Sequence, residues 1–118
     1  MNEEQSQSPI ITPSEKQSYE FFVAGVQHHD LDDVKDLISE GISLQLVPEP
    51  ENQYDPNAVK IMFGPTVSAT MLGYVPQKGE YSAKVKAMLE VHDSVSCEVV
   101  EYHPDARPWK KLFVRISS

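Results

Sequence analysis

Leu46-Val-Pro-Glu-Pro-Glu-Asn-Gln-Tyr-Asp-Pro-Asn-Ala-Val-Lys-Ile61 sets a long turn-forming segment between two strand-like runs. It opens on the end of an alternating run, Ile42, Leu44 and Leu46 against Ser43 and Gln45, the period-two pattern of a half-buried strand that stops at Pro48. It closes on Ala58-Val-Lys-Ile-Met-Phe63, an apolar, largely β-branched and aromatic run that reads as a second strand. Between the two, Pro48 to Asn57 is turn chemistry almost throughout. A connection of that length and composition is expected to be an ordered or functional loop.

Working outward, Tyr19 to Val26 suits a first strand, ended by Gly25 and the polar residues that follow. Asp30 to Gly41 predicts a short helix, with Leu31, Val34, Leu37 and Ile38 on one stripe, acids in the first turn and Gly41 as its stop. Downstream, Gly64-Pro65 turns the chain into Thr70-Met-Leu-Gly-Tyr-Val75, a strand in which Gly73 marks the close approach of another backbone or of a ligand. A second helix is expected over Tyr81–Glu90, its apolar face made by Tyr81, Val85, Met88 and Leu89. Val95–Tyr102 and Lys111–Ile116 alternate and form a closing hairpin around His103–Pro108. Six short strands and two helices predict a mainly β (α+β) chain, a small OB-like barrel, closed or partly open.

At 118 residues there is room for one domain. Residues 1–17, rich in Glu, Gln, Ser and Pro, are expected to form a disordered tail, and residues 18–118 the barrel. No apolar run approaches the roughly 20 residues of a membrane helix, and the start lacks a secretory layout, so a cytoplasmic location without membrane contact is expected. Cys97 is the only cysteine, which excludes an intramolecular disulfide and a thiolate zinc cluster. The net charge of -8 opposes long-range steering toward a polyanion. The charge is uneven, however: residues 1–75 hold most of the acids with only Lys16, Lys35 and Lys60, whereas residues 76–118 are slightly positive.

Asn52-Gln-Tyr-Asp-Pro-Asn-Ala58, together with Phe22-Val-Ala-Gly25 upstream and Leu72-Gly-Tyr-Val-Pro76 downstream, resembles the signature of the HIRAN family from about Tyr19 to Ile116. The resemblance implies a modified OB-type barrel of a kind found in stand-alone bacterial proteins and fused to helicase-like chromatin or repair ATPases, the fused ones recognising single-stranded DNA at a free 3′ end. It further implies a pocket built from Gln27-His28-His29, from Asn52 to Asp55, and from Gly73-Tyr74. Tyr54 would stack on a base. Asp55 would accept a hydrogen bond from a terminal sugar hydroxyl. Asn52 and the backbone amides near Gly73 would bind phosphate or base edges, while Tyr74 and His28 would wall the pocket with flat rings. Gln27, His28 and His29 depart from the DNA-binding members, which can carry an Arg and two Tyr there. Partners implied are single-stranded DNA ends and a helicase or other repair protein.

Other readings stand beside these. Asn52, Asp55 and Asn57 are what a tight turn wants, and Tyr54 would equally plug the barrel end. His28-His29-Asp30 with Asp32 and Asp33 has metal-ligand residue types, yet adjacent histidines on an extended segment point apart, so no metal is assigned. Cys97, on an alternating strand, reads as a buried small hydrophobe and not as a nucleophile. Arg107, Trp109, Lys110 and Lys111 have the composition of a binding edge, but read as a hairpin tip with Trp109 packed on the barrel. No catalytic triad, phosphate-cradling glycine loop, cofactor motif or zinc spacing occurs. The expected function is therefore that of a non-enzymatic module binding single-stranded DNA, with a protein-interaction module on the same fold as the alternative, and a metal-dependent phosphodiester-processing enzyme as a weaker third.

Overall fold

A computed structural model describes residues 16–118. The strands are β1 (Ser18–Phe22), β2 (Ser43–Pro48), β3 (Val59–Phe63), β4 (Thr70–Tyr74), β5 (Ser96–Tyr102) and β6 (Leu112–Ser117), with one α-helix, α1 (Tyr81–Val91). All pairings are antiparallel, in the order β1-β6-β5-β2-β3-β4. The expected six-stranded, mainly β architecture is what the chain forms.

The sheet curls because of how β2 is shared and where the ladder is interrupted. Ser43 and Leu44 pair with β5, whereas Gln45 to Pro48 pair with β3, so β2 turns a corner between two halves. Register shifts at Ile61/Met62 against β4 and at Val99/Glu101 against β6 add bulges, which bend a strand and increase its twist. One of these explains why Leu72 and Gly73 are buried in succession, contrary to strict alternation. The result is a half-barrel whose two edge strands meet through Ala24 and Tyr74. Ala24 N donates to Tyr74 O at 2.8 Å and Tyr74 N to Ala24 O at 2.9 Å.

The core fills the concave side. Leu112, Val114 and Ile116 from β6, Val59 and Ile61 from β3, and Val99 and Cys97 from β5 are almost fully buried at period two. α1 closes this side with Val85 and Met88, both without exposure, and with the buried Ser82 at its start. Each such apolar side chain contributes about 1.5–3 kcal/mol by leaving water. Tyr81 ties the helix to β1, its ring 5.0 Å from that of Phe21 and 6.1 Å from that of Tyr19.

The first expected helix forms differently. Leu31–Leu37 is a 3₁₀ helix, preceded by another over Val26–His28. Leu31 is buried and Val34 packs against the core, whereas the backbone becomes extended at Ile38, which turns that side chain inward and leaves Leu37 60 % exposed. The tail expected over residues 1–17 lies outside the described residues except for Lys16 and Gln17. Gln17 belongs to the barrel: Ser118 N donates to its carbonyl at 3.0 Å, and its own N–H donates to Ser118 Oγ at 2.7 Å. Among the described residues no helix is long and apolar enough to cross a membrane.

Candidate functional site

The loop between β2 and β3 is held by its own side chains. Asn52 Oδ1 accepts from Tyr54 N at 2.8 Å and from Asp55 N at 2.9 Å, an Asx arrangement that folds the chain back on itself. Asp55 repeats the device with Asn57 N at 2.9 Å, and Ala58 N donates to Asp55 O. The turn-forming reading of Asn52 and Asp55 is thus what the backbone displays.

Two side-chain bridges then fix the loop to the barrel. Glu49 Oε1 accepts from Asn52 Nδ2 at 2.7 Å and from the Tyr74 hydroxyl at 2.8 Å, while Lys60 Nζ stands 3.7 Å from Glu49 Oε2. The hydrogen bonds from Asn52 and Tyr74, helped by the Lys60 charge, hold the Glu49 carboxyl below its usual range. Burial, with the Glu49 carboxylate as its partner, pushes the Tyr74 phenol up. On the other side, Ser82 Oγ at the start of α1 donates to Asp55 Oδ2 at 2.9 Å, and Lys86 Nζ reaches Pro56 O at 3.2 Å.

The bridges leave a cleft of about 390 Å³ between the loop and the β1/β4 junction, lined by Ala24, Asn52, Tyr54, Asp55, Ala58, Tyr74, Val75 and Gln77. That is the lower range of small-ligand sites, roughly 300–1,000 Å³. Its floor is apolar, at Ala24, Ala58 and Val75, and its rim carries a carboxylate and two amides. Tyr54 is 83 % exposed, so it does not plug the barrel end; its ring stands free at the rim.

Of the candidates named from sequence, Asn52, Tyr54, Asp55 and Tyr74 therefore converge on one cleft. Gln27, His28, His29 and Gly73 do not line it. Gln27 and His28 are exposed on the 3₁₀ turn after β1, and the ring that meets Tyr74 is that of His29, edge-on at 5.7 Å, in place of the expected His28. The turn over Val26–His28 rotates His28 outward and leaves His29, with extended φ and ψ, facing β4. Gly73 serves backbone packing: a Cβ there would lie 2.5 Å from Ala24 O and 2.7 Å from Val23 Cγ1. The amides after it are not available to a ligand, since Tyr74 N donates to Ala24 O and Val75 N to Val59 O.

Ala24, Glu49, Gln77 and Ser82 belong to the site and were not singled out from sequence. Glu49 lies within the signature stretch, and Ser82 is a lone hydroxyl on the buried face of α1, a signal that a polar partner waits there. Elsewhere, Cys97 is a buried thiol pushed up to about 12 by burial, as its place on an alternating strand implies. Trp109 is 58 % exposed, with Arg107 5.7 Å over its ring, so it packs on the barrel less than expected. Among the described residues no three His, Cys, Asp or Glu side chains stand together to hold a metal ion.

Comparison with known proteins agrees with this architecture. The HIRAN domain of human HLTF superposes with a TM-score of 0.61 at 16% identity, over 85% of this chain and 73% of that one. A protein from Lactobacillus plantarum superposes with a TM-score of 0.62 at 17% identity, over 87% of this chain and 96% of that one. At those identities the likeness is one of fold. A Fanconi-associated nuclease 1 homolog from Oryza sativa subsp. japonica is 36% identical over 61 residues, which is 52% of this chain and 6% of that protein. The chain thus spans a small fraction of that relative's length. The family profile described as HIRAN domain matches residues 16–118, the whole of the half-barrel and its loop, and the chain belongs to the HIRAN domain family.

Proposed function

We propose that the chain is a non-enzymatic module that binds single-stranded DNA, with a free 3′ end seated in the cleft between Tyr54 and Tyr74. The observation that carries this reading is the Tyr54 ring, held out of the core on a loop cross-braced by Asn52 and Asp55 and left 83 % exposed beside a cleft of nucleoside size. An aromatic ring on a braced loop gives a flat stacking surface with little left to order on binding. Asp55 takes the terminal hydroxyl. Each of its oxygens has one protein donor, and a carboxylate oxygen has two lone pairs, so one acceptor position remains on each. A terminal phosphate in the same place meets the Asp55 carboxylate and is repelled. A strand-binding role also accords with membership in a family that includes the HLTF domain, and with sequence likeness to a protein named a nuclease.

One observation favours a second reading, a protein-interaction module that keeps the fold without DNA binding. Among the described residues neither Lys nor Arg lines the cleft, and Lys60 beside it is paired with Glu49. Fluorescence anisotropy separates the two. Short single strands ending in a 3′-hydroxyl or a 3′-phosphate are titrated with the protein and with Tyr54→Ala, whose ring braces nothing. The first reading expects tighter binding of the hydroxyl end and a loss of roughly 5- to 150-fold in the variant, the range of one stacked base. Absence of binding to any strand at low salt would refute the first and leave the second.

A further inference from the structure

A second hollow, of about 430 Å³, is lined by Glu49, Glu51, Asn52, Gln53 and Tyr54. It shares only Asn52 and Tyr54 with the cleft, so Tyr54, 83 % exposed, borders both. A ring exposed on two faces stacks two bases, and the terminal base in the cleft leaves the second face for its neighbour.

The two sides differ in chemistry. The cleft has an apolar floor, whereas the hollow presents two carboxylates and two amides. Glu49 is engaged, since Oε1 accepts from Asn52 and Tyr74 and Oε2 faces Lys60. Glu51 and Gln53 are exposed and line the hollow. A carboxylate there repels a backbone phosphate and accepts hydrogen bonds only, so a base edge is what it favours. Guanine offers N1–H and the N2 amine side by side, which matches two carboxylate oxygens. Cytosine and adenine offer one exocyclic amine, while thymine offers a single N–H between two carbonyl oxygens that oppose the carboxylate.

We propose that Glu51, with Gln53 beside it, selects the nucleotide adjoining the strand end, favouring a base with an exocyclic amine, guanine above all, over thymine. This selection rests on the single-strand reading of the cleft, and Tyr54 is the wall common to both positions. Glu51 is exposed at the rim, so its discrimination belongs at the low end for a bidentate base contact, roughly five- to tenfold in affinity.

The test uses short oligothymidylates that differ only in the base next to the 3′-terminal thymidine, titrated by anisotropy with the protein and with Glu51→Ala. The expected result is five- to tenfold tighter binding with guanine than with thymine at that place, cytosine and adenine between them, and the four affinities drawn together in Glu51→Ala. Equal affinities in the parent protein, or a preference that survives in the variant, would overturn the selection while leaving single-strand binding in place. Failure to bind any of the oligonucleotides would overturn both.

Discussion

Replacing Gly73 with Ala tests whether the half-barrel depends on the contact that closes it. The added Cβ would stand 2.5 Å from Ala24 O and 2.7 Å from Val23 Cγ1, and the first of these is backbone that cannot rotate away. Relief requires β4 and the end of β1 to separate, which breaks the two hydrogen bonds between Ala24 and Tyr74. Each contributes about 1 kcal/mol net. Overpacking against the fully buried Val23 adds about 1–3 kcal/mol, and the stiffer unfolded chain returns about 0.4–1 kcal/mol. The balance is a destabilisation of about 2–4 kcal/mol, which for a domain of this size lowers Tm by roughly 10–30 °C at about 4–8 °C per kcal/mol. Differential scanning calorimetry on the purified variant measures it. A Tm within about 2 °C of the parent would refute the reasoning, because it would mean that the edges are free to part and that Gly73 is there for something other than backbone packing.

Ser82→Ala removes the donor to Asp55 Oδ2 from the buried face of α1, and urea unfolding should show a loss of about 1–2 kcal/mol without a change in m-value. Glu49 gives the domain part of its acid sensitivity: its carboxyl is held below the usual range in the folded protein, so its contribution is complete above the unfolded value of about 4.3 and is lost as pH falls through the lower, folded one. Glu49→Gln should flatten that portion of a stability-versus-pH curve, and an unchanged curve would count against the network around Tyr74. Cys97, buried and with its thiol pushed up to about 12, should resist thiol-specific labelling at pH 8 in the native protein and react fully in denaturant; rapid native labelling would show that β5 opens.

Much of this was legible in the chain. The strands flanking Pro48–Asn57, the closing hairpin and the buried face over Val85 and Met88 follow from spacing alone, because period two and period 3.6 record which side of an element leaves water. The Asx geometry of Asn52 and Asp55 is similarly local, reaching two or three residues, and the residue types declare it. The exposure of Leu37 was not legible, because the amphipathic stripe of residues 31–38 fits an α-helix, whereas the segment forms a 3₁₀ helix that ends at Leu37 and the extended backbone of Ile38 carries the next side chain inward.

What determined the site is of another kind. Asn52, Tyr54, Asp55 and Tyr74 were all nameable from sequence, whereas their company was not: Glu49 reaches Tyr74 across 25 positions and Ser82 reaches Asp55 across 27. The choice of His29 over His28 against Tyr74 depends on a single turn after β1. Neighbouring residues record the strands, the loop's internal folding and a glycine where another backbone or a ligand comes close. Only the folded chain brings β1 against β6, joins the edges at Ala24 and Tyr74, and sets Tyr54 on the border of two hollows. The physical reason is that local hydrogen bonds and burial periodicity are written in neighbouring residues, while the pairing of distant strands is selected by the shared core they enclose.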